Sequence, residues 1–369
     1  MKVLMFHGRA GGHNILPFLE YFNASTEHQL TFIYANDRTY FPKPDNIEYH
    51  KFSFSPFKLA KLSKVIGAEY DLIWYHGGHS ALILFIFSLL RNKESKFIFN
   101  VWNEWLIHKA KKGGIKGKMF QYGISHADII HCNWHGTAHV LRETGWNDNI
   151  QVYYWGLQKE NFTNHTVADD EETNQFIATL PEDKVKFFFP KSISPNSRHD
   201  LVIEAAEKLV KDGLTNFIVY LWLGNTNEED LLEKYSTQIN KSGLGEYVIL
   251  QKHGFLSFGD MQMIWKKMDA GLQIAANEQL STTFLEPQFY QKEIVVTDIL
   301  PYRMYNEKFN LNIPLIPLES EAVYNGMKSI ITGNTTSKED LLKRYHAVND
   351  NFNFSENIKK IIERYQKLS

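Results

Sequence analysis

A single cysteine, Cys132, in 369 residues leaves no partner for an internal disulfide and fits a reducing compartment. No apolar run reaches the ~20 residues of a membrane-spanning helix, and the longest, 81–90, falls well short. The start of the chain, Met1 to Gly8, has too short an apolar run for a signal peptide and reads as a first strand. A surplus of positive charge is also missing. With 40 Lys and Arg against 42 Asp and Glu, a formal net charge of −2 and a pI near 6.7 argue against a nucleic-acid binder. Low-complexity tracts and short internal repeats are lacking. These absences predict a soluble, cytoplasmic chain, and its length allows two domains of ordinary size.

What the sequence does contain is a succession of short apolar runs separated by helical patterns. Strands are predicted at 2–6, 30–35, 71–76, 96–101, 128–132 and 150–154, and again at 185–189, 217–223, 247–250, 269–275, 293–297 and 313–318. They are rich in β-branched and aromatic residues and do not alternate cleanly, as strands buried on both faces should not. The clearest helix, 200–212, carries Val202, Ala205, Ala206, Leu209 and Val210 on one stripe, with Ser197 as a cap and Gly213 as a stop. The acidic stretch 157–183 reads as a linker and lead-in. Six strands, a break and six more predict two doubly wound Rossmann-like parallel-sheet domains, at 1–165 and 166–349. A last helix within 350–369 carries Ile358, Ile361, Ile362 and Tyr365 on one side and needs a surface to cover.

The stretch from Ala275 to Gln288 holds the main chemistry. Glu278 and Glu286 are separated by seven residues, with Ser281, Thr282 and Thr283 between them. Proline belongs in the first turn of a helix, so Pro287 predicts a helix beginning near Thr283, where Thr283 and Glu286 have capping-box spacing. Free amides of that first turn would then face the hydroxyl loop and an anion. Two other loops fall at strand ends. One is His7 to His13, where Gly11 and Gly12 make either a tight turn or a close approach to a phosphate or sugar. The other, Pro190 to Asp200, puts Lys191 and Arg198 near a helix N-terminus, where cations are unfavourable without an anion. A diphosphate on Lys191 and Arg198, with Glu278 on sugar hydroxyls and Glu286 on a ribose diol, gives a nucleotide-sugar site across a central cleft.

The order of these features resembles the GT-B glycosyltransferases, particularly family 4, whose E-x7-E motif is similar to Glu278–Glu286. Ala127-Asp128-Ile129-Ile130 resembles that family's A-D-x-I/V strand, and Tyr154-Trp155-Gly156-Leu157 with Phe162 its P-N-G lead-in to the second domain. Lys191 to Ala205 is similar to G-R-x…K-G-x-D-x-L-I-x-A, and Glu293 to Asp298 to P-V-V-x-x-D. His253-Gly254-Phe255-Leu256 stands where an F-x-G loop contacts the base. The chain also departs from the pattern. Lys191 replaces an Arg, Arg198 lies one position past a Lys, Glu286 is followed by Pro287, and Gln291 replaces a Gly. The family's histidine at the end of the fourth strand would fall near Trp102 and Asn103, which supply none.

The resemblance implies a GT-B fold, with an acceptor-side first domain and a donor-side second. It implies transfer of a sugar from a UDP- or GDP-sugar to a glycan or lipid-linked acceptor with retention, in bacterial surface polysaccharide or glycolipid synthesis. Glu278, Lys191 and Arg198 would be catalytic; Gly11, Gly12, Phe255, Leu256, Ser281, Thr282, Thr283 and Glu286 would bind the donor. No metal and no cofactor is implied, and His131, His135 and His139 read as core or solvated rather than as a metal site. Lysines from Lys109 to Lys118, and the basic aromatic run 52–62, read either as solvated faces or as a peripheral contact with the anionic inner face of a plasma membrane. Trp102, Trp105 and Trp134 read as sugar-stacking rings or as core. Two other readings stand beside transfer: a GT-B-like nucleotide-sugar epimerase, and an inactive scaffold partner.

Overall fold

The computed structural model describes residues 1–11, 15–39, 43–77, 80–101, 105–157, 170–223, 228–251 and 256–367. They form two compact units, Met1–Trp155 with Phe354–Ser369, and Gly156–Asn353. The first holds a parallel sheet of β1 (Lys2–Gly11), β2 (Gln29–Thr39), β3 (Glu48–Lys51), β4 (Leu72–His76), β5 (Lys96–Val101), β6 (Ile129–Cys132) and β7 (Ile150–Val152), in the order β3-β2-β1-β4-β5-β6-β7. The second holds β8 (Val185–Phe189), β9 (Phe217–Trp222), β10 (Val248–Gln251), β11 (Ala270–Gln273), β12 (Glu293–Thr297) and β13 (Leu315–Ile316), in the order β10-β9-β8-β11-β12-β13. Every pairing is parallel.

The apolar runs become strands because both faces are covered. In the first sheet Leu4, Phe6, Ile73, Tyr75, Phe97 and Phe99 point to one core, while Val3, Met5, Leu72, Trp74 and Ile98 point to the other. Phe187 and Phe189 likewise oppose Phe188 in the second sheet. Period-two geometry sends successive apolar residues to opposite layers, so alternation is lost from the sequence. The terminal helix Phe354–Gln366 buries Ile358, Ile361, Ile362 and Tyr365 in the core of the first unit, with the Tyr365 ring 5.7 Å from Trp74.

Four features differ from expectation. The edge strand β3 reads Glu-Tyr-His-Lys and carries no apolar run to announce it. A helix, Glu171–Ala178, capped by the Asp170 carboxylate, occupies the stretch read as linker. The helix expected at 200–212 is His199–Lys211, whose N-cap is Arg198 in a left-handed conformation, φ 36 and ψ 48; Ser197 instead shares a hydroxyl contact with Ser194. The helix after the hydroxyl loop is Thr282–Phe289 with Ser281 as N-cap, so Pro287 lies in its interior, past the first turn.

Pro287 forgoes a bond to the carbonyl four residues before it, and the helix ends just beyond. Gln291 N–H donates to the Gln288 carbonyl at 3.1 Å and Lys292 N–H to the Pro287 carbonyl at 2.8 Å, the two bonds of a Schellman stop. That stop needs a left-handed residue, and Gln291 takes it with φ 53. A side chain in this region costs roughly 1–2 kcal/mol that glycine does not. Gln291→Gly should therefore raise stability by ~1 kcal/mol in urea unfolding, with no change in m-value; an unchanged or lower midpoint would show that the Gln291 conformation carries no strain.

Candidate functional site

In the second sheet the chain runs outward from β8 through β9 to β10, then resumes on the other side at β11. The boundary between β8 and β11 is therefore its topological switch point, where open α/β sheets take ligands at the strand C-terminal ends. The two loops leaving that point are tied together. The Ala276 amide donates to the Asn196 carbonyl at 2.9 Å, and the Asn196 side chain donates to the Asn277 carbonyl. The Lys191 ammonium bonds the Glu278 carboxylate through Oε2, with side-chain exposures of only 14% and 15%. His199 holds the base of the first loop through a 3.1 Å contact from its ring to the Lys191 carbonyl, and burial lowers its pKa to about 4.

Around Glu278 lies a polar network that sequence reasoning found only in part. Gln273, the last residue of β11 and fully buried, donates to Glu278 Oε1 at 2.5 Å, Ser281 Oγ at 2.9 Å and Thr283 Oγ1 at 3.2 Å. Tyr302, from the Leu300–Lys308 helix, bonds Glu278 Oε1 through its hydroxyl and lies 2.9 Å from Gln273 Nε2. Lys191 Nζ also reaches Ser281 Oγ, at 3.3 Å. The structure thus brings together Lys191, Glu278, Ser281 and Thr283, with Thr282 exposed in the first turn beside them. Gln279 belongs to the same loop, and both ends of its amide are buried without a partner among the described residues. Gln273 and Tyr302 carried no local signal, since their partners are distant in sequence.

Arg198 does not join this cluster through any described contact. Its guanidinium grips Asp200 two residues on, with Nε and Nη2 within 2.8–3.2 Å of the carboxylate oxygens. Burial pushes the Asp200 carboxyl up, but the Arg198 bonds outweigh it and hold the pKa below the usual value. The two cations were expected to demand a bound anion. The chain instead neutralises both from its own carboxylates, Glu278 and Asp200.

Glu286 also departs from expectation. It makes no capping box; Ser281 caps the helix without a side-chain bond, and Glu286 points inward, 6% exposed, accepting from Trp265 Nε1 at 2.9 Å. Gly271 makes room for this. A Cβ there would come within 3.1 Å of both Pro287 and Trp265. Burial, partly offset by the Trp265 bond and Lys191, pushes the Glu286 carboxyl up to about 7. Leu256 lies buried among Phe188, Trp222 and Trp265. Phe255, with the rest of its loop, lies outside the described residues, as does Gly12; Gly11 is the last residue of β1.

In the first unit, β3 makes Leu72–His76 the fourth strand in chain order, and its last residue is His76. His76 is fully buried, its Nδ1 3.1 Å from Asn100 Nδ2, and burial holds its pKa well below the ordinary value. Trp102 and Asn103 lie outside the described residues. Trp134 is fully buried against Tyr154 and is a core residue with no face for a sugar. Among the described residues no group of three His, Cys, Asp or Glu is arranged to hold a metal ion.

No family model and no curated protein sequence matches the chain. Solved structures do match its fold. HepE from Anabaena, solved in complex with UDP-glucose, superposes with a TM-score of 0.74 over 100% of both chains at 14% identity. A glycosyltransferase from Rickettsia africae matches with a TM-score of 0.74 over 99% of this chain and 98% of its own, at 17% identity. Sucrose-phosphate synthase from Thermosynechococcus elongatus gives 0.74 over 100% and 99%, at 12% identity. This is the GT-B fold. At such identities the likeness is one of GT-B architecture.

The buried carboxyl makes a pH prediction. A raised folded-state pKa means that the contribution of Glu286 is fully present below pH 4.5 and lost as pH rises through about 7. Glu286→Gln keeps an acceptor for Trp265 without the ionisation. Relative to the variant, the natural chain should lose roughly 3 kcal/mol of stability between pH 4.5 and pH 8. Parallel urea titrations across that range would refute the assignment by showing a constant difference.

Proposed function

We propose that the chain is a retaining glycosyltransferase that uses a nucleotide-diphosphate sugar, UDP- or GDP-linked, and a glycan or lipid-linked acceptor in surface polysaccharide or glycolipid synthesis. The observation that carries this reading is the Lys191–Glu278–Ser281 cluster at the switch point between β8 and β11. A cation, an acceptor carboxylate and the first amides of the Thr282–Phe289 helix converge there, which suits a sugar diphosphate better than either half alone.

In this mechanism the donor replaces internal bonds. Lys191 exchanges Glu278 for a phosphate oxygen, and the Thr282 and Thr283 amides, without intrahelical acceptors, take the diphosphate. Glu278, held by Gln273 and Tyr302, accepts from hydroxyls of the donor sugar, and the unpartnered Gln279 amide completes that contact. Glu286, turned inward onto Trp265, would meet a ribose diol only by swinging its second oxygen outward. The bond from C1 to the phosphate oxygen breaks and the acceptor oxygen bonds C1 on the same face. The acceptor proton passes to the departing diphosphate, so no protein base is needed. Arg198 acts from beside the site, released from Asp200 when the diphosphate arrives.

Calorimetric titration with UDP, GDP, ADP and CMP tests the reading first. One nucleoside diphosphate should bind, and binding by none of the four would sink the proposal. Lys191→Ala should weaken that binding by about 10–100-fold, the range of a lost hydrogen bond to a charged group. Glu278→Ala should leave free nucleotide binding intact or tighter and reduce transfer by at least ~100-fold. Tyr302→Phe should lower kcat with nucleotide affinity unchanged. A new epimer formed from the nucleotide sugar alone, with no nucleotide released, would favour an isomerase. Full activity of a reconstituted pathway carrying Glu278→Ala would favour a scaffold.

A further inference from the structure

Three neighbouring helices of the first unit, Pro56–Ile66, Ala81–Leu90 and Gly114–Ser125, bury Leu62, Phe87 and Phe120 in the same core and so cover one face of the first sheet. The Trp105–Lys111 helix packs beside the third. Glycines allow close approach. A Cβ on Gly117 would come within 2.7 Å of the Ala110 carbonyl, and one on Gly123 within 2.4 Å of Leu84. Each of the three helices crosses between parallel strands, so each begins at the C-terminal edge of the sheet. The second residue of each is an exposed apolar side chain: Phe57 at 90%, Leu82 at 39% and Ile115 at 75% exposure. Phe54, 56% exposed, stands beside the first of them.

The helices' own charge has one sign, and the Glu143 carboxylate that meets them pairs with Lys111 at 3.6 Å. Residues 53–68, 80–90 and 105–127 contain eight lysines, no arginine and no carboxylate within the segments, in a chain whose net charge is −2. Lys58, Lys61 and Lys64 lie exposed on one side of their helix, and Lys112, Lys116 and Lys118 are exposed around the start of another. We propose that this face docks on the surface of an anionic phospholipid bilayer, with Phe54, Phe57 and Ile115 among the headgroups and the lysines over the lipid phosphates. Lysine is a point charge on a flexible stem and suits a diffuse field of phosphates, whereas a defined acidic protein site favours the fixed fork of arginine. Apolar tips at 90% and 75% exposure are costly in water and gain by entering the interface. The surface lies wholly within the first unit and stands whether or not the chain transfers sugar.

Co-sedimentation of the full chain with vesicles tests it. The chain should pellet with vesicles containing about 30% phosphatidylglycerol in phosphatidylcholine, stay in solution with phosphatidylcholine alone, and be released by roughly 0.5 M salt. Lys58→Glu, Lys61→Glu and Lys64→Glu together should lower the partition coefficient more than tenfold, since each lysine near an anionic surface is worth about a fivefold factor. Phe57→Ser should lower it by about tenfold. All four side chains are exposed, and unchanged melting and nucleotide binding would show that fold and the other unit are intact. Equal binding to neutral and anionic vesicles, no binding to either, or full binding by both variants would each overturn the proposal; the second result would assign the face to an acidic protein.

Discussion

The second unit is organised by one ion pair. Lys191 and Glu278 come from loops after adjacent strands, are mostly shielded from water, and bond each other. The pair ties the two loops together at the strand ends, and each charge is compensated by the other rather than by water. The Asn196 bonds to Ala276 and Asn277 then follow as consequences of the same closure. Gln273 and Tyr302 occupy the carboxylate oxygen that Lys191 leaves, so Glu278 is fixed in direction as well as in charge. On the proposed reading, an anionic ligand exchanges one partner of Lys191 for another and must also satisfy Glu278.

Departures from local rules gather around this pair. Arg198 takes a left-handed N-cap position in the first loop, Gln291 a left-handed stop, and Pro287 an interior helical position, while Glu286 is buried as a carboxyl near neutrality. Each is unfavourable alone, and each persists because surrounding packing over-determines it. Gly271 shows how. Its missing side chain lets Pro287 and Trp265 approach β11, and that approach places the Trp265 donor on Glu286.

How much of this was legible follows from the range of the interactions concerned. The strands at 96–101, 185–189 and 293–297 are found with the expected bounds because apolar residues end abruptly at both edges. β3 escaped because an edge strand of four polar or aromatic residues has no apolar periodicity. Glu278, Lys191 and the hydroxyl loop stood out by their places after apolar strands, and the structure brings them into contact. The capping box was misread because its spacing is local, while the competing donor, Trp265, lies on a separate helix 21 residues away. The pairing of Arg198 was not foreseen although it is local: a carboxylate two residues on holds its guanidinium. Gln273 and Tyr302 are 29 residues apart and become one site only when the helix after β12 folds back.

Charge distribution adds a constraint that local reading also hides. Eight of the 40 Lys and Arg fall in three helical segments of the first unit that contain none of the 42 Asp and Glu, so the rest of the chain carries ten more acids than bases. A nearly neutral total therefore conceals a segregation of charge along the chain. Near a negative surface the lysine-rich helices are attracted, which favours the approach of this face before any side chain touches lipid. Phe57 and Ile115 stand at the first turns of helices that all begin at one edge of the sheet, so a single approach brings both to the interface. Orientation thus comes from the charge segregation and depth from the apolar tips, and neither needs a helix that spans the bilayer; among the described residues, no helix is long and apolar enough to do so.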